Sequence, residues 1–203
     1  MRRMSERLMW ALIAWSPAAA AFAQTPRAAT YITAEEVQTV NRQPGIDRTI
    51  RVIDIGNENL AVGVIHRVSG GGRAFTPTTE PCGERLATTS ADGTPGGVTH
   101  DSQTEGYLIV SGGGTLVTGG HIVNGNRYAP DNDVTRVLNG PSCSGTIAGA
   151  DVVKRVVKTG DIIVIPAGVP HAWIDVTDHV DYLSFRPSDH ALEAGYVHPS
   201  IRK

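Results

Sequence analysis

A histidine that follows a tight Pro/Gly turn is the residue best placed for chemistry in this chain of 203 residues. Residues 160–171 read Gly-Asp-Ile-Ile-Val-Ile-Pro-Ala-Gly-Val-Pro-His, and the run of β-branched residues predicts a short buried strand. Pro166 ends this strand because proline cannot donate a hydrogen bond to a neighbouring strand, and Gly168 gives the turn its backbone freedom. His171 therefore opens the next strand at a position fixed by a rigid turn, which suits a metal ligand.

This segment resembles the second sequence motif of the cupin superfamily, in which a glycine, a proline, a glycine and a histidine recur at this spacing. Residues 100–112 (His-Asp-Ser-Gln-Thr-Glu-Gly-Tyr-Leu-Ile-Val-Ser-Gly) resemble the first motif, with the spacing of germin-like members. The family has two histidines there, one residue apart, followed by a glutamate and a glycine. When the segment is aligned on Glu105 and Gly112, His100 takes the place of the second histidine and Val98 that of the first.

The resemblance, which covers roughly residues 60–186, implies a site for one divalent metal ion on His100, Glu105 and His171. Two imidazoles and one carboxylate form the facial triad that holds non-haem iron(II), and the same ligands suit manganese or zinc. Val98 cannot supply the fourth ligand that the family usually has. The alternative reading is therefore a member of the family that has lost its metal.

Further polar and aromatic residues near the two motifs are candidates for a second layer around the metal or for a substrate pocket. The sequence gives none of them a definite role, because a histidine or aromatic residue on a strand also fits an ordinary core or surface position. One of them, a glutamine, is also a conceivable substitute for the missing ligand. These candidates are Gln103, Tyr107, His66, His121 and Trp173.

Strands of alternating, β-branched sequence follow one another from Ile50 onward, separated by clusters of glycine and proline. This pattern predicts an all-β fold, and the resemblance specifies a cupin-type jelly-roll β-barrel. Thr33 and Glu36 have the spacing of a capping box, which predicts a short N-terminal helix over residues 34–42. The expected divisions are a signal peptide at 1–23, a leader with the short helix at 24–48, the barrel at 49–187 and a tail at 188–203.

The first 23 residues have the pattern of a secretory signal. Three arginines lie among the first seven residues, an apolar stretch follows, and Ala21-Phe22-Ala23 fits a cleavage site of the small-x-small type. An uncleaved membrane anchor is the alternative, but Pro17 and the short apolar run argue against a spanning helix, which needs about 20 apolar residues. We therefore expect an exported protein, with the periplasm as its compartment and no membrane partner after the signal is removed.

The net charge and the cysteines indicate which partners and which compartment to expect. Removal of the three arginines and one glutamate of the signal from 18 basic and 20 acidic residues leaves a net charge of −4. No basic run with interleaved aromatic residues occurs, so we expect no nucleic-acid partner. The two cysteines, Cys82 and Cys143, lie in Gly/Pro/Ser-rich segments, and in an oxidising compartment such a pair predicts a disulfide rather than two free thiols.

Two functions fit these features, because a fold of this kind does not determine an activity. The first is a metal-dependent enzyme, of dioxygenase, isomerase or lyase type, acting on a small organic substrate in the barrel cavity. An oxygenase leads this class because the facial triad is its ligand set. The alternative is a non-catalytic exported protein that binds a small molecule or carbohydrate. The resemblance also implies a homodimer, since an open sheet edge invites pairing.

Overall fold

The computed structural model describes residues 28–70, 76–88 and 92–202, and it confirms an all-β jelly-roll fold with one short N-terminal helix. The predicted signal peptide, residues 1–23, lies outside the described residues. Within the described part of the chain, no helix is long and apolar enough to cross a membrane. The elements are α1 (Ala34–Asn41), β1 (Asp47–Asp54), β2 (Asn59–Val68), β3 (Pro81–Cys82), β4 (Thr94–His100), β5 (Glu105–Thr118), β6 (His121–Arg127), a π-helical turn (Val134–Leu138), β7 (Ser142–Ala148), β8 (Val153–Lys158), β9 (Ile162–Ile165), β10 (His171–Ile174), β11 (His179–Ser188) and a 3₁₀ turn (Pro199–Ile201).

The predicted capping box begins helix α1. The Thr33 hydroxyl accepts the Glu36 backbone N–H at 3.2 Å, and the Glu36 carboxylate accepts the Thr33 backbone N–H at 3.2 Å. Val40 on the inner side of the helix packs against Ile50 of β1 and Val64 of β2. The helix therefore covers the outer face of these two strands, because its one fully buried side chain lies there.

Strand β5 joins two antiparallel sheets. One sheet has the order β1-β2-β11-β5-β9, and the other has the order β3-β6-β7-β4-β10-β5-β8. The first half of β5 pairs with β11 and β9, and its second half pairs with β8 and β10. Gly112, with a φ of +67°, lies where the strand passes from one sheet to the other, and a Cβ there would collide with the His179 carbonyl.

The core lies between the two sheets. The largest cluster of buried side chains is rich in β-branched and aromatic residues and lies inside the barrel. A second cluster surrounds Cys143 between β5, β6, β7 and β10. The members of the large cluster are Ile65, Tyr107, Ile109, Leu116, Val157, Ile165, Val180 and Tyr182.

The expected strand before His171 is present as β9, but the expectation that it is buried is wrong for one face. Ile162 is 74% exposed and Val164 is 68% exposed, whereas Ile165 is buried. The physical reason is the position of the N-terminal helix. Helix α1 lies over β1 and β2, at the far side of the sheet from β9, so the outer face of β9 has no element of the described chain packed on it.

The predicted disulfide between Cys82 and Cys143 is confirmed, with 5.9 Å between the two Cα atoms. It connects the short strand β3 to β7 across a sequence separation of 61 residues. Cys143 is 4% exposed and packs in the second core cluster. The bond therefore holds the segment around β3 on the barrel, where only two residues of β3 pair with β6.

Removal of this disulfide should destabilise the protein. A closed loop of this length is worth about 4 kcal/mol in the chain-entropy model, and we expect a loss of about 2–4 kcal/mol in the free energy of unfolding for the double variant Cys82→Ser/Cys143→Ser. Urea denaturation followed by circular dichroism measures it. A reducing agent should lower the stability of the unmodified protein to that of the double variant and leave the variant unchanged. Equal stability of all samples would contradict the assigned role.

Candidate metal centre

Three strand ends bring the motif residues together. His100 is the last residue of β4, Glu105 the first of β5, and His171 the first of β10. The Pro/Gly turn before His171 fixes their arrangement, because the Gly168 backbone N–H donates to the His100 carbonyl at 2.8 Å. Glu105 lies opposite Ile165, the last residue of β9, so the same turn also places His171 beside Glu105.

The side chains of His100, Glu105 and His171 form one buried group. Glu105 Oε2 is 3.0 Å from His171 Nε2, and Glu105 Oε1 is 3.6 Å from His100 Nε2. One donor atom from each residue lies within 4.8 Å of the other two, and each residue is at most 5% exposed. Such a group of two imidazoles and a carboxylate could bind a metal ion.

The outer nitrogen of each imidazole has a partner that determines the ring's tautomer. His171 Nδ1 is 3.2 Å from the Val169 carbonyl oxygen, which can only accept, so Nδ1 carries the proton. His100 Nδ1 is 2.8 Å from the Ser142 hydroxyl, and that hydroxyl donates to the Gly140 carbonyl at 2.8 Å. Ser142 must then accept from His100 Nδ1–H. His100 Nε2 is then left with a lone pair that faces the carboxylate, whereas His171 Nε2 lies within hydrogen-bond distance of Glu105 Oε2.

An unpartnered lone pair and an anion that face one another favour a cation between them. His100 Nε2 is buried and has no hydrogen-bond partner among the described residues. Burial lowers the pKa of His100 more than the nearby Glu105 carboxylate raises it, so this ring is neutral at neutral pH. A divalent metal fits this donor set, because it needs neutral imidazole nitrogens and an ionised carboxylate.

Arg186 and Asp47 complete the electrostatics of the site, and the sequence analysis missed both. Arg186 Nε donates to Glu105 Oε1 at 2.7 Å, and its other two nitrogens donate to the Asp47 carboxylate at 2.5 and 3.2 Å. Burial by itself would raise the pKa of Glu105, but the Arg186 charge and the two neighbouring histidines together outweigh it and hold that pKa well below its usual value. Glu105 is therefore an anion at neutral pH.

A sequence signal for Arg186 does exist. Alternate residues of β11 point into the barrel, and Arg186 occurs in step with Tyr182 on the inward face. An arginine at an inward position of a strand must have a buried partner. The signal does not identify that partner, since Asp47 and Glu105 are far away in sequence. The buried residues of β11 are Val180, Tyr182, Ser184, Arg186 and Ser188.

Two of the aromatic candidates lie beside the group. Tyr107 donates its hydroxyl hydrogen to Glu105 Oε2 and stacks against Tyr182, with 4.5 Å between ring centroids. Burial and the Glu105 charge raise the pKa of Tyr107 well above its usual value, so the hydroxyl keeps its proton. Trp173 contacts Tyr182 rather than Glu105, and it donates its indole N–H to the Tyr182 hydroxyl at 3.2 Å.

The other candidates lie in different surroundings. Gln103 is buried, its amide N–H₂ donates to the Leu138 carbonyl at 3.3 Å, and its Oε1 has no hydrogen-bond partner in the described chain. His66 is partly exposed and pairs with Asp181. His121 pairs with Glu84 at the surface. Neither of these histidines belongs to the buried group of His100, Glu105 and His171.

The position of the missing family ligand is visible in the strand register. Val98 of β4 lies directly opposite His171 of β10, and residues opposite each other in a ladder point to the same face. His100, two residues on, points to that face as well. Val98 therefore presents an apolar side chain at the position where the resemblance implies a histidine.

One protein-family model matches part of the chain. Residues 99–197 match the family model described as Cupin. No curated protein sequence matches the chain. The matched segment contains all three residues of the buried group and most of the strands that position them.

Solved structures with a similar arrangement of strands have low sequence identity. A conserved protein with a double-stranded β-helix domain from Klebsiella pneumoniae is 14% identical, with 81% of this chain and 94% of that chain covered and a TM-score of 0.39. Protein BH2720 from Bacillus halodurans is 15% identical, with 86% and 91% covered and a TM-score of 0.43. Oxalate oxidase in complex with glycolate is 16% identical, with 73% and 54% covered and a TM-score of 0.35, so the match spans about half of that chain.

Loss of Arg186 should be far more damaging than loss of a surface arginine. The variant Arg186→Leu leaves the Asp47 and Glu105 carboxylates buried without a counter-charge, and we expect a loss of about 3–5 kcal/mol in the free energy of unfolding. The control is Arg136→Leu, which breaks the exposed pair with Glu193 and should change stability little. Urea denaturation of both variants measures this, and similar effects of the two would refute the buried ion-pair chain.

Acid should destabilise the metal-free protein in two steps. Because the pKa of His100 is lowered in the folded protein, the unfolded chain binds a proton at this histidine below about pH 6.5 more readily than the folded protein does. The lowered pKa of Glu105 adds a second loss as the pH falls below about 4.3. Both contributions are fully present above these values. The urea concentration at the midpoint of unfolding of chelator-treated protein should therefore be lower at about pH 5 than at about pH 7. The fall should begin near the pKa of a histidine in the unfolded chain.

The variant His100→Asn separates this effect from general acid sensitivity. Its amide can still donate to Ser142 but does not titrate, so the fall in midpoint between about pH 7 and pH 5 should be smaller than in the unmodified protein. His121→Asn, at an exposed position, should keep the full fall. The same pH dependence in both variants would show that His100 is not responsible.

Proposed function

We propose that this chain, whose residues 99–197 form a cupin domain, binds one divalent metal ion through His100, Glu105 and His171 and uses it on a small organic substrate. The observation that carries the proposal is the buried Nε2 atom of His100, which faces Glu105 and has no hydrogen-bond partner in the described chain. Burial of an unsatisfied polar atom costs about 1–3 kcal/mol, and a bound metal would remove this cost.

The chain's own residues prepare the site for a metal. The Ser142 hydroxyl and the Val169 carbonyl hold the two rings so that each Nε2 points towards Glu105. Arg186 keeps the Glu105 carboxylate ionised, and this carboxylate retains lone pairs beyond those used by Arg186 and Tyr107. A metal bound there would polarise a substrate oxygen or activate dioxygen at an open coordination position.

Aromatic side chains shield one side of the site from water. Tyr107, Tyr182 and Trp173 pack in sequence from Glu105 outward, and Tyr107 and Tyr182 are at most 3% exposed. Exclusion of water strengthens the electrostatic effect of a bound metal and of Arg186 on a substrate. The Tyr107 hydroxyl keeps its proton and can donate it in a hydrogen bond, so it also fixes the orientation of the Glu105 carboxylate.

An oxygenase is the leading reaction type, because two histidines and one carboxylate are the facial triad of iron(II) oxygenases. The disulfide between Cys82 and Cys143 points to an oxidising compartment, and the pattern of a secretory signal in residues 1–23 predicts export. Iron(II) is difficult to keep reduced in such a compartment. This favours manganese or zinc as the metal of an exported form.

A second candidate function is a non-catalytic exported protein that binds a small molecule or carbohydrate. Two observations favour it. Val98 occupies the position of a family ligand, and Glu105 already receives hydrogen bonds from Arg186 and Tyr107. In this reading the carboxylate is part of a structural network, and the direct contact of 3.0 Å between His171 Nε2 and Glu105 Oε2 takes the place of the metal.

Metal content distinguishes the two candidates. Protein that begins at residue 24 and is produced in an oxidising compartment should contain about one divalent metal per chain by elemental mass spectrometry. The variant His171→Ala should lose it, because one of three ligands is removed, while His121→Ala should retain it. Circular dichroism confirms that both variants are folded.

Two results would overturn the proposal. The first is unmodified protein that contains no metal and takes none up after incubation with iron(II), manganese or zinc. The second is a metal that remains bound in His171→Ala. If the metal is lost in that variant without any effect on the affinity for a small-molecule ligand, the binding function replaces the enzyme.

A further inference from the structure

A serine, a histidine and an aspartate form a connected chain at the corner of the barrel, away from the buried metal group. Ser111 Oγ is 2.7 Å from His179 Nε2, and His179 Nδ1 is 2.7 Å from Asp178 Oδ2. This is the order of contacts in a nucleophile, a general base and a carboxylate that orients the base. The proposed metal chemistry uses none of these three residues.

The path of strand β5 creates this arrangement. The register between β5 and β11 shifts next to Asp181, so Ser111 lies opposite Asp181 while Ile109 lies opposite Tyr182. A bulge of this kind re-aims a side chain and is frequent beside active sites. Gly112 then leaves room for the base, because a Cβ at this position would lie 3.1 Å from the His179 ring carbon Cδ2.

The partners of His179 determine its tautomer. The Asp178 carboxylate can only accept when ionised, so Nδ1 carries the proton and Nε2 presents a lone pair to Ser111. The Ser111 hydroxyl therefore donates to His179 Nε2, and the base is already in hydrogen-bond contact with the proton that it would remove.

A second histidine–aspartate pair supports the first. The ring of His66 stacks on that of His179 with 6.2 Å between centroids and 28° between planes, and His66 Nδ1 pairs with Asp181 at 2.5 Å. Two carboxylates thus flank the histidine pair. They stabilise the positive charge that His179 gains when it takes the serine proton.

Space for a substrate lies beside two of the three residues, Asp178 and His179, and beside the glycines that follow Ser111 in the chain. A surface cavity of about 470 Å³ includes Asp178 and His179 in its wall, together with the run Gly112–Gly114 that follows Ser111. Glycines present only backbone to such a cavity, which allows a ligand to approach closely. Asp175 and Asp178 make its charged lining acidic. A neutral or cationic acyl group suits this lining better than an anionic one.

We propose that Ser111, His179 and Asp178 form a second reactive centre that cleaves small carboxylic esters with an uncharged or cationic acyl group. Ser111 Oγ forms a bond to the ester carbonyl carbon while its proton passes to His179 Nε2. The carbon–alkoxy bond then breaks, and the alcohol leaves with that proton. Water cleaves the resulting acyl-serine by the same route, which releases the carboxylic acid and restores Ser111.

This activity is independent of the metal centre. Ser111 and Glu105 lie on the same strand, and six residues of extended chain separate them by about 20 Å. A chelator should therefore leave the serine centre unchanged. This separates a failure of the present proposal from a failure of the metal proposal.

The test is covalent labelling of the mature chain with an uncharged alkyl fluorophosphonate, followed by intact mass and peptide mapping. We expect one phosphonyl group per chain, on Ser111, in the presence or absence of a chelator. The variant Ser111→Ala should not be labelled, and the labelling rate of His179→Gln should fall at least about tenfold. Hydrolysis of p-nitrophenyl acetate should fall in both variants.

A matched control exists in the same chain. Ser200 contacts His198 at 2.8 Å, but through Nδ1, which also accepts the Ser200 backbone N–H at 3.2 Å, so this pair is a local turn. Ser200→Ala should keep full labelling and hydrolysis. Thermal unfolding shows whether each variant is folded, and Ser111→Thr retains a hydroxyl if the alanine variant is unstable. Labelling that is absent, on another residue, or equal in His179→Gln would overturn the proposal.

Discussion

Glu105, Arg186 and Asp47 form a buried chain of alternating charges on which the site depends. The arginine donates to both carboxylates and joins the starts of β1 and β5 to the end of β11. Its own pKa is raised, since the two carboxylates outweigh the effect of burial. Each group would be strongly unfavourable in the core without the others. These three residues therefore fix the Glu105 carboxylate, the proposed metal ligand, in position and in charge.

The balance of charges among Glu105, Arg186 and Asp47 affects both candidate functions. Two carboxylates and one guanidinium leave a net negative charge next to the two imidazoles, which favours a bound cation. The positive charge of Arg186 weakens the same site, because it lies on one oxygen of the carboxylate that would bind the metal. Metal affinity should thus be set by the distance between Arg186 and the metal position as well as by the three ligands.

The parts of the site that follow from local sequence could be predicted, and those that depend on distant contacts could not. The Pro/Gly turn before His171 and the capping box at Thr33 are encoded within a few residues, and the structure contains both. The disulfide followed from cysteine count and compartment. Arg186 pairs with Asp47, 139 residues away, through strand order alone. The exposed face of β9 likewise depends on where helix α1 packs.

Strand β5 carries a residue of each of the two proposed sites. Glu105 at its start belongs to the buried group of His100, Glu105 and His171, and Ser111 belongs to the serine–histidine–aspartate chain at the corner where Gly112 lets the strand change sheets. Anomalous X-ray diffraction at the absorption edge of the bound metal tests the central claim directly. The account predicts one peak between His100 Nε2, His171 Nε2 and the Glu105 carboxylate. A map without a peak there, with Arg186 and Tyr107 as the only partners of Glu105, would contradict it.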